Sequence, residues 1–231
     1  MTPILKFTDY QVQAARTSGC NGEKYTPNVF DPDPPPMSKL LQTRLETVSL
    51  GVIGELGEFA DYWKKVIGHG HPRDKDKEIK ELGDQFWYGA ELYSVFGLKM
   101  FNNEESDDLA KAQESFNKQI ADYRAKYVEK MKECPDEVQP SSEFFDVAST
   151  IRQGSMIAAL VAGTVDRILG YQPIDVGRMI HYMDSHVSLM CTVATLTGHD
   201  LKTILETNIA KLEARYPNGF NPESSINRKP E

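Results

Sequence analysis

The chain has 231 residues and a mass of 26.0 kDa, with 40% hydrophobic and 26% charged residues, so it can bury a substantial core and does not read as disordered. Its 26 basic residues are outnumbered by 34 acidic ones, and the formal charge of -8 argues against a nucleic-acid binder, which needs a basic face. It does not exclude a nucleotide, because a divalent ion held between carboxylates can anchor a triphosphate on an acidic protein.

Met1 to Gln13 has no basic region followed by an apolar run. The longest apolar stretch, Met156 to Gly163, falls far short of the ~20 residues of a membrane span. Cys20, Cys134 and Cys191 are odd in number and widely spaced, indicating neither a disulfide framework nor a zinc knuckle. The expected setting is the cytoplasm, without membrane or nucleic-acid partners.

A short helix is expected from Thr8 or Asp9. A loop rich in Gly, Pro and Asn follows from Ser18 to Pro36, ending in Asp31-Pro32-Asp33-Pro34-Pro35-Pro36. From Lys39 to Ile67 the apolar residues Leu41, Leu45, Val48, Val52, Leu56, Phe59, Trp63 and Val66 advance by three or four, which is helix spacing. Gly68-His69-Gly70-His71-Pro72 breaks it, and Ile79, Leu82, Phe86, Ala90 and Tyr93 mark a second helix to about Phe96. Two antiparallel helices joined by a short loop follow. Asn102 to Gln139 reads as a solvated helix. Phe144 to Leu169, Asp175 to Thr195 and Leu201 to Tyr216 read as three further apolar helices, and Asn221 to Glu231 as a tail. No stretch alternates with period two, so the expected class is all-α.

Within the helix pair, Glu55 and Glu58 are three residues apart, as are Glu81 and Asp84. That spacing puts each pair on one helix face, about 5–6 Å apart at Cβ. A lone pair of this kind is usually a solvated surface feature. Here the face of Glu81 and Asp84 continues through Tyr88, Leu92 and Val95, and that of Glu55 and Glu58 through Tyr62 and Val66. Acids in line with an apolar stripe are partly buried, and like charges there call for a cation. A di-iron site would use Glu-x-x-His pairs, and none of the five histidines has Glu three positions before it. An oxygen-only Mg²⁺ or Mn²⁺ site is therefore preferred.

The two pairs, with 22 residues between them and Gln85-Phe86-Trp87-Tyr88 after the second, resemble the MazG-like all-α nucleoside triphosphate pyrophosphohydrolases. Lys64-Lys65-x-x-Gly68-His69-Gly70-His71-Pro72 is similar to one subgroup of that family. So is Asn208-x-x-Lys211-Leu212-x-x-Arg215-Tyr216-Pro217-x-Gly219-Phe220. The resemblance implies hydrolysis of (deoxy)nucleoside triphosphates, of guanine or another base, to monophosphate and pyrophosphate. It further implies Mg²⁺ on Glu55, Glu58, Glu81 and Asp84, with Glu55 or Glu58 as general base. By the same resemblance Asn208 contacts the metal site or nucleotide, and Lys211, Arg215 and Lys65 contact phosphate. Trp87 either stacks on a base or belongs to the core, and His69 and His71 order the loop.

About a hundred residues separate Leu98 from Gly198, where a minimal unit of that family would pass almost directly. Within them Ile168-Leu169-Gly170-Tyr171-Gln172-Pro173-Ile174-Asp175 echoes Val66 to Asp74 with one residue fewer. The positions of Glu55 and Glu58 become Ile157 and Leu160. The echo is either a degenerate second copy or a similar helix turn. The expectation is one all-α domain over 1–231: a metal-binding helix pair at 38–98, a helical insertion at 99–196, a nucleotide-contacting helix at 197–220 and a tail at 221–231. A homo-oligomer, most simply a dimer, is expected. The rival functions are a dUTPase-like pyrimidine nucleotide hydrolase and a non-catalytic helical module that binds nucleotide or protein.

Overall fold

The computed structural model describes residues 3–19, 23–26, 36–101, 104–133, 145–221, 223 and 226. Cys20, Cys134, the Asp31–Pro35 run and most of the 221–231 tail lie outside the described residues. Among the described residues there are eight α-helices and no strand, only an isolated antiparallel bridge between Lys6 and Asp108. The helices are α1 (Phe7–Ala14), α2 (Lys39–His69), α3 (Lys75–Val95), α4 (Glu104–Asp107), α5 (Leu109–Glu133), α6 (Phe145–Leu169), α7 (Val176–Thr197) and α8 (Leu201–Arg215). None of them is long and apolar enough to cross a membrane.

Local chemistry sets the helix ends. The Ser38 hydroxyl accepts from the Leu41 N–H at 3.0 Å and starts α2, and Asp74, Asp175 and Asp200 do the same for α3, α7 and α8. Helix α2 continues through Gly68 and His69, beyond the expected break. It stops at Gly70, whose φ of 69° is left-handed and open to glycine at no steric cost.

Helices α2 and α3 form one hairpin, α6 and α7 a second; α6 packs along α2, and α7 along α3. Helices α1 and α8 lie on α3, and α5 lies on α7. The stripes read from sequence are the buried faces: Leu45, Val52, Leu56, Phe59 and Trp63 on α2, and Leu82, Phe86, Ala90 and Tyr93 on α3, are all buried. Helices α6 and α7 therefore pack against the helix pair, and the second α3 stripe at Leu92 and Val95 is buried. At Gly51 the two helices touch so closely that a Cβ would fall 1.9 Å from the Tyr88 ring.

Candidate metal and nucleotide site

Glu55 and Glu58 sit one turn apart on α2, and Glu81 projects from the facing α3. Their carboxylates converge, with one oxygen of each within 4.8 Å of the others. Glu58 is exposed, whereas Glu55 and Glu81 are half-buried. Burial pushes the Glu55 carboxyl up to about 7, and the Asp84, Glu58 and Glu81 charges add to the effect. Glu81 is raised by burial first and by the Glu58 charge second. The arrangement is a nest of like charges with one open side.

Asp84, the fourth expected ligand, stands beside this trio and is engaged by α8. Lys211 donates to both its oxygens, at 2.6 Å to Oδ2, and Asn208 Nδ2 donates to Oδ1 at 3.0 Å. Asn208 is buried, and its Oδ1 accepts from the hydroxyl of Tyr10 on α1 at 2.8 Å. It reaches this place because residue 83 is glycine; a Cβ there would lie 2.9 Å from that of Asn208. The structure thus brings Asn208 and Lys211 onto the carboxylate face of α3.

The remaining expected contacts are not among these groups. Lys65 pairs with Asp61 at 2.7 Å, and Lys64 binds the same carboxylate. Trp87 is half-buried, and its Nε1 donates to Thr17 at 2.9 Å. Arg215 occupies the last turn of α8, half-exposed; His69 ends α2 and His71 lies on the following loop, both exposed.

Sequence reasoning missed a buried ionic cluster one turn before Glu81. Glu78 is fully buried and accepts from Tyr62 at 2.6 Å, from Arg73 Nε at 2.9 Å and from Arg73 Nη2 at 2.5 Å. His199 Nε2 lies 2.7 Å from its other oxygen, and Arg73 also donates to the Thr197 carbonyl at 2.9 Å. These bonds hold the Glu78 carboxyl down at about 2 although burial opposes them. They tie the α2–α3 loop to the α7–α8 turn and so fix where α8 begins. Its one trace in the sequence is a further acid one turn before Glu81, and nothing local points to His199. A second buried pair, Arg44 with Glu91 at 3.1 Å, joins the start of α2 to the end of α3.

The chain matches no family model, no curated protein and no solved structure.

Proposed function

We propose that the protein is a metal-dependent nucleoside triphosphate pyrophosphohydrolase of the MazG-like all-α type. In this reading it acts on guanine or other (deoxy)nucleoside triphosphates in control of the nucleotide pool, in the cytoplasm. The observation that carries the reading is the convergence of Glu55, Glu58 and Glu81 beside an Asp84 already linked to an amide and an ammonium. An oxygen-only donor set of this charge fits Mg²⁺ or Mn²⁺, and the Glu55 carboxyl, raised first by burial and then by the Asp84, Glu58 and Glu81 charges, is one that a cation would relieve. Glu55, Glu58, Glu81 and Asp84 would hold the ion, which when bound supplies charge neutralisation for the triphosphate and acidifies an attacking water.

The chain's own groups supply the rest. Lys211 already stands at the site and would exchange Asp84 for a phosphate oxygen when nucleotide enters, with Arg215 one turn further along the same helix. Glu55 or Glu58 would accept the proton of the attacking water. Attack at the α-phosphorus releases pyrophosphate, and the sequence has no G-x-x-x-x-G-K-[ST] loop to favour cleavage at the γ-phosphate.

The test is product identification over a panel of triphosphates with Mg²⁺ or Mn²⁺. Equal amounts of monophosphate and pyrophosphate are expected. Diphosphate with orthophosphate contradicts the mechanism, and turnover confined to dUTP selects the pyrimidine-hydrolase rival. Absence of metal-dependent turnover selects the non-catalytic module.

A further inference from the structure

The geometry points to Tyr10 as a positioning residue for Asp84, acting through the side-chain amide of Asn208. The inference deepens the metal reading above and rests on it for the role of Asp84.

An amide side chain presents an acceptor on one side and a donor on the other, and the surrounding network decides which faces which partner. Tyr10 is fully buried, and its hydroxyl hydrogen is its only proton to donate. That proton goes to Asn208 Oδ1 at 2.8 Å, while the Gly83 carbonyl lies further off at 3.4 Å. With the oxygen committed, Asn208 Nδ2 must face Asp84, and it does so at 3.0 Å. The reversed amide would set its oxygen against the Asp84 carboxylate. On the Asn208 side, which is 3% exposed, no solvent would relieve that contact. Burial also raises the Tyr10 phenol well above its ordinary range, so it remains a donor across physiological pH.

Tyr10 is itself held in place. Thr8, two residues earlier, donates from its backbone N–H and hydroxyl to Asp107 at 2.8 and 2.7 Å. Gln11, one residue later, donates to the Leu98 carbonyl at 2.9 Å and to Ser94 at 3.1 Å. Helix α1 therefore carries one fixed donor to the back of the site, and Asp84 receives its orientation from three elements, α1, α3 and α8. Nothing in the spacing of the acidic motif requires a tyrosine on a separate helix.

The test uses Tyr10→Phe, which keeps the ring and removes the donor, in the full chain. On the metal-free protein, the Asn208 side-chain amide protons should exchange at least about tenfold faster in Tyr10→Phe than in the wild type. Titration with Mn²⁺ alone should show affinity weakened by about tenfold, the lower end of what a group supporting a metal ligand contributes. In an Asn208→Ala background the same Tyr10→Phe change should alter Mn²⁺ affinity less than twofold, because the path through the amide is gone. An Asn208 amide indifferent to Tyr10→Phe overturns the relay. So does an equal loss of Mn²⁺ affinity in both backgrounds, which would mark Tyr10 as general packing. Wild-type protein that binds no Mn²⁺ overturns the metal reading instead, while the exchange measurement still decides the relay.

Discussion

Leu45, Leu56, Phe59, Trp63 and Val66 of α2 stand in register with Val147, Ala158, Val161, Val165 and Ile168 of α6, and all are buried. The likeness continues across the one-residue difference in the loops. Leu82, Gln85, Phe86, Ala90 and Tyr93 of α3 match Met183, His186, Val187, Cys191 and Ala194 of α7, again all buried. Even the caps agree, Asp74 with Asp175. The polar content does not. The register positions of Glu55, Glu58, Glu81 and Asp84 are held by Ile157, Leu160, Tyr182 and Ser185 in the second hairpin, and that of the clamped Glu78 by Met179. A burial register needs only apolar shape at helical spacing, and two hairpins can share it with different side chains. Buried charge needs specific partners, here drawn both from within the hairpin and from α8 and the turn before it. The first hairpin has them, with Asn208 and Lys211 from α8 on Asp84, and His199 from the α7–α8 turn on Glu78.

The largest effects should separate the two hairpins by activity. Glu55→Gln, Glu58→Gln, Glu81→Gln and Asp84→Asn should each lower kcat/KM by roughly 10²-fold or more while the circular dichroism stays helical. Leu160→Gln, at the register position of Glu58 and 43% exposed, should leave turnover within about twofold. Near-normal turnover in any two of the four carboxylate variants would dissolve the distinction between the hairpins.

The next effect concerns the clamp. Glu78→Met copies the second hairpin at that position but strands Arg73 and His199, and should cost about 3–5 kcal/mol in denaturant unfolding. A loss below about 1 kcal/mol would mean that the clamp is dispensable. With its carboxyl held at about 2, below the ordinary 4.5, Glu78 contributes stability that is present above about pH 4.5 and lost as pH falls toward 2.

A buried polar residue unites the hairpins, because Gln85 and His186 occupy the same register position and neither side chain has a hydrogen-bond partner among the described residues. Burial lowers His186 from 6.5 to about 4, so the unfolded chain takes up its proton first and stability declines as pH falls from about 6.5 to 4. His186→Leu should flatten that part of the curve and raise stability at pH 7 by about 1 kcal/mol, since it removes an orphaned polar group. An unchanged slope between pH 6.5 and 4 would contradict the burial of a neutral ring.

The smallest effect isolates the anionic nest in metal-free protein. Glu55 is raised from 4.5 to about 7, so the folded state holds its proton longer and stability falls as pH rises through that interval. Glu55→Gln should remove this decline, giving a melting temperature a few degrees higher at pH 8 and unchanged at pH 4. Wild-type protein with Mg²⁺ should recover part of the difference. A Glu55→Gln melt that tracks the wild type at both pH values would show that burial and the neighbouring carboxylates together penalise the Glu55 charge too little to matter.

Helical spacing made both hairpins legible, along with the faces they bury and the placement of each carboxylate pair on one face. It worked because apolar periodicity is local and α2 sustains it from Leu41 to Val66. The spacing of Asn208 and Lys211 likewise showed that they share a face. What remained hidden was which charges would be buried and by what. Nothing in the spacing singled out Arg44, Glu78 or Glu91, yet all three are buried, and the Arg44–Glu91 and His199–Glu78 contacts join residues far apart along the chain. The reach of Tyr10 to Asn208 belongs to the same class, since it depends on how α1 and α8 meet on α3.

The most direct measurement is an anomalous scattering map at the manganese edge from crystals of the protein grown with Mn²⁺. The expected result is density bounded by the carboxylates of Glu55, Glu58 and Glu81, with Asp84 turned from Lys211 toward the ion. Manganese bound elsewhere on the chain, or none at this site while Asp84 keeps Lys211 as its partner, would contradict the assignment of the carboxylate nest as a metal centre.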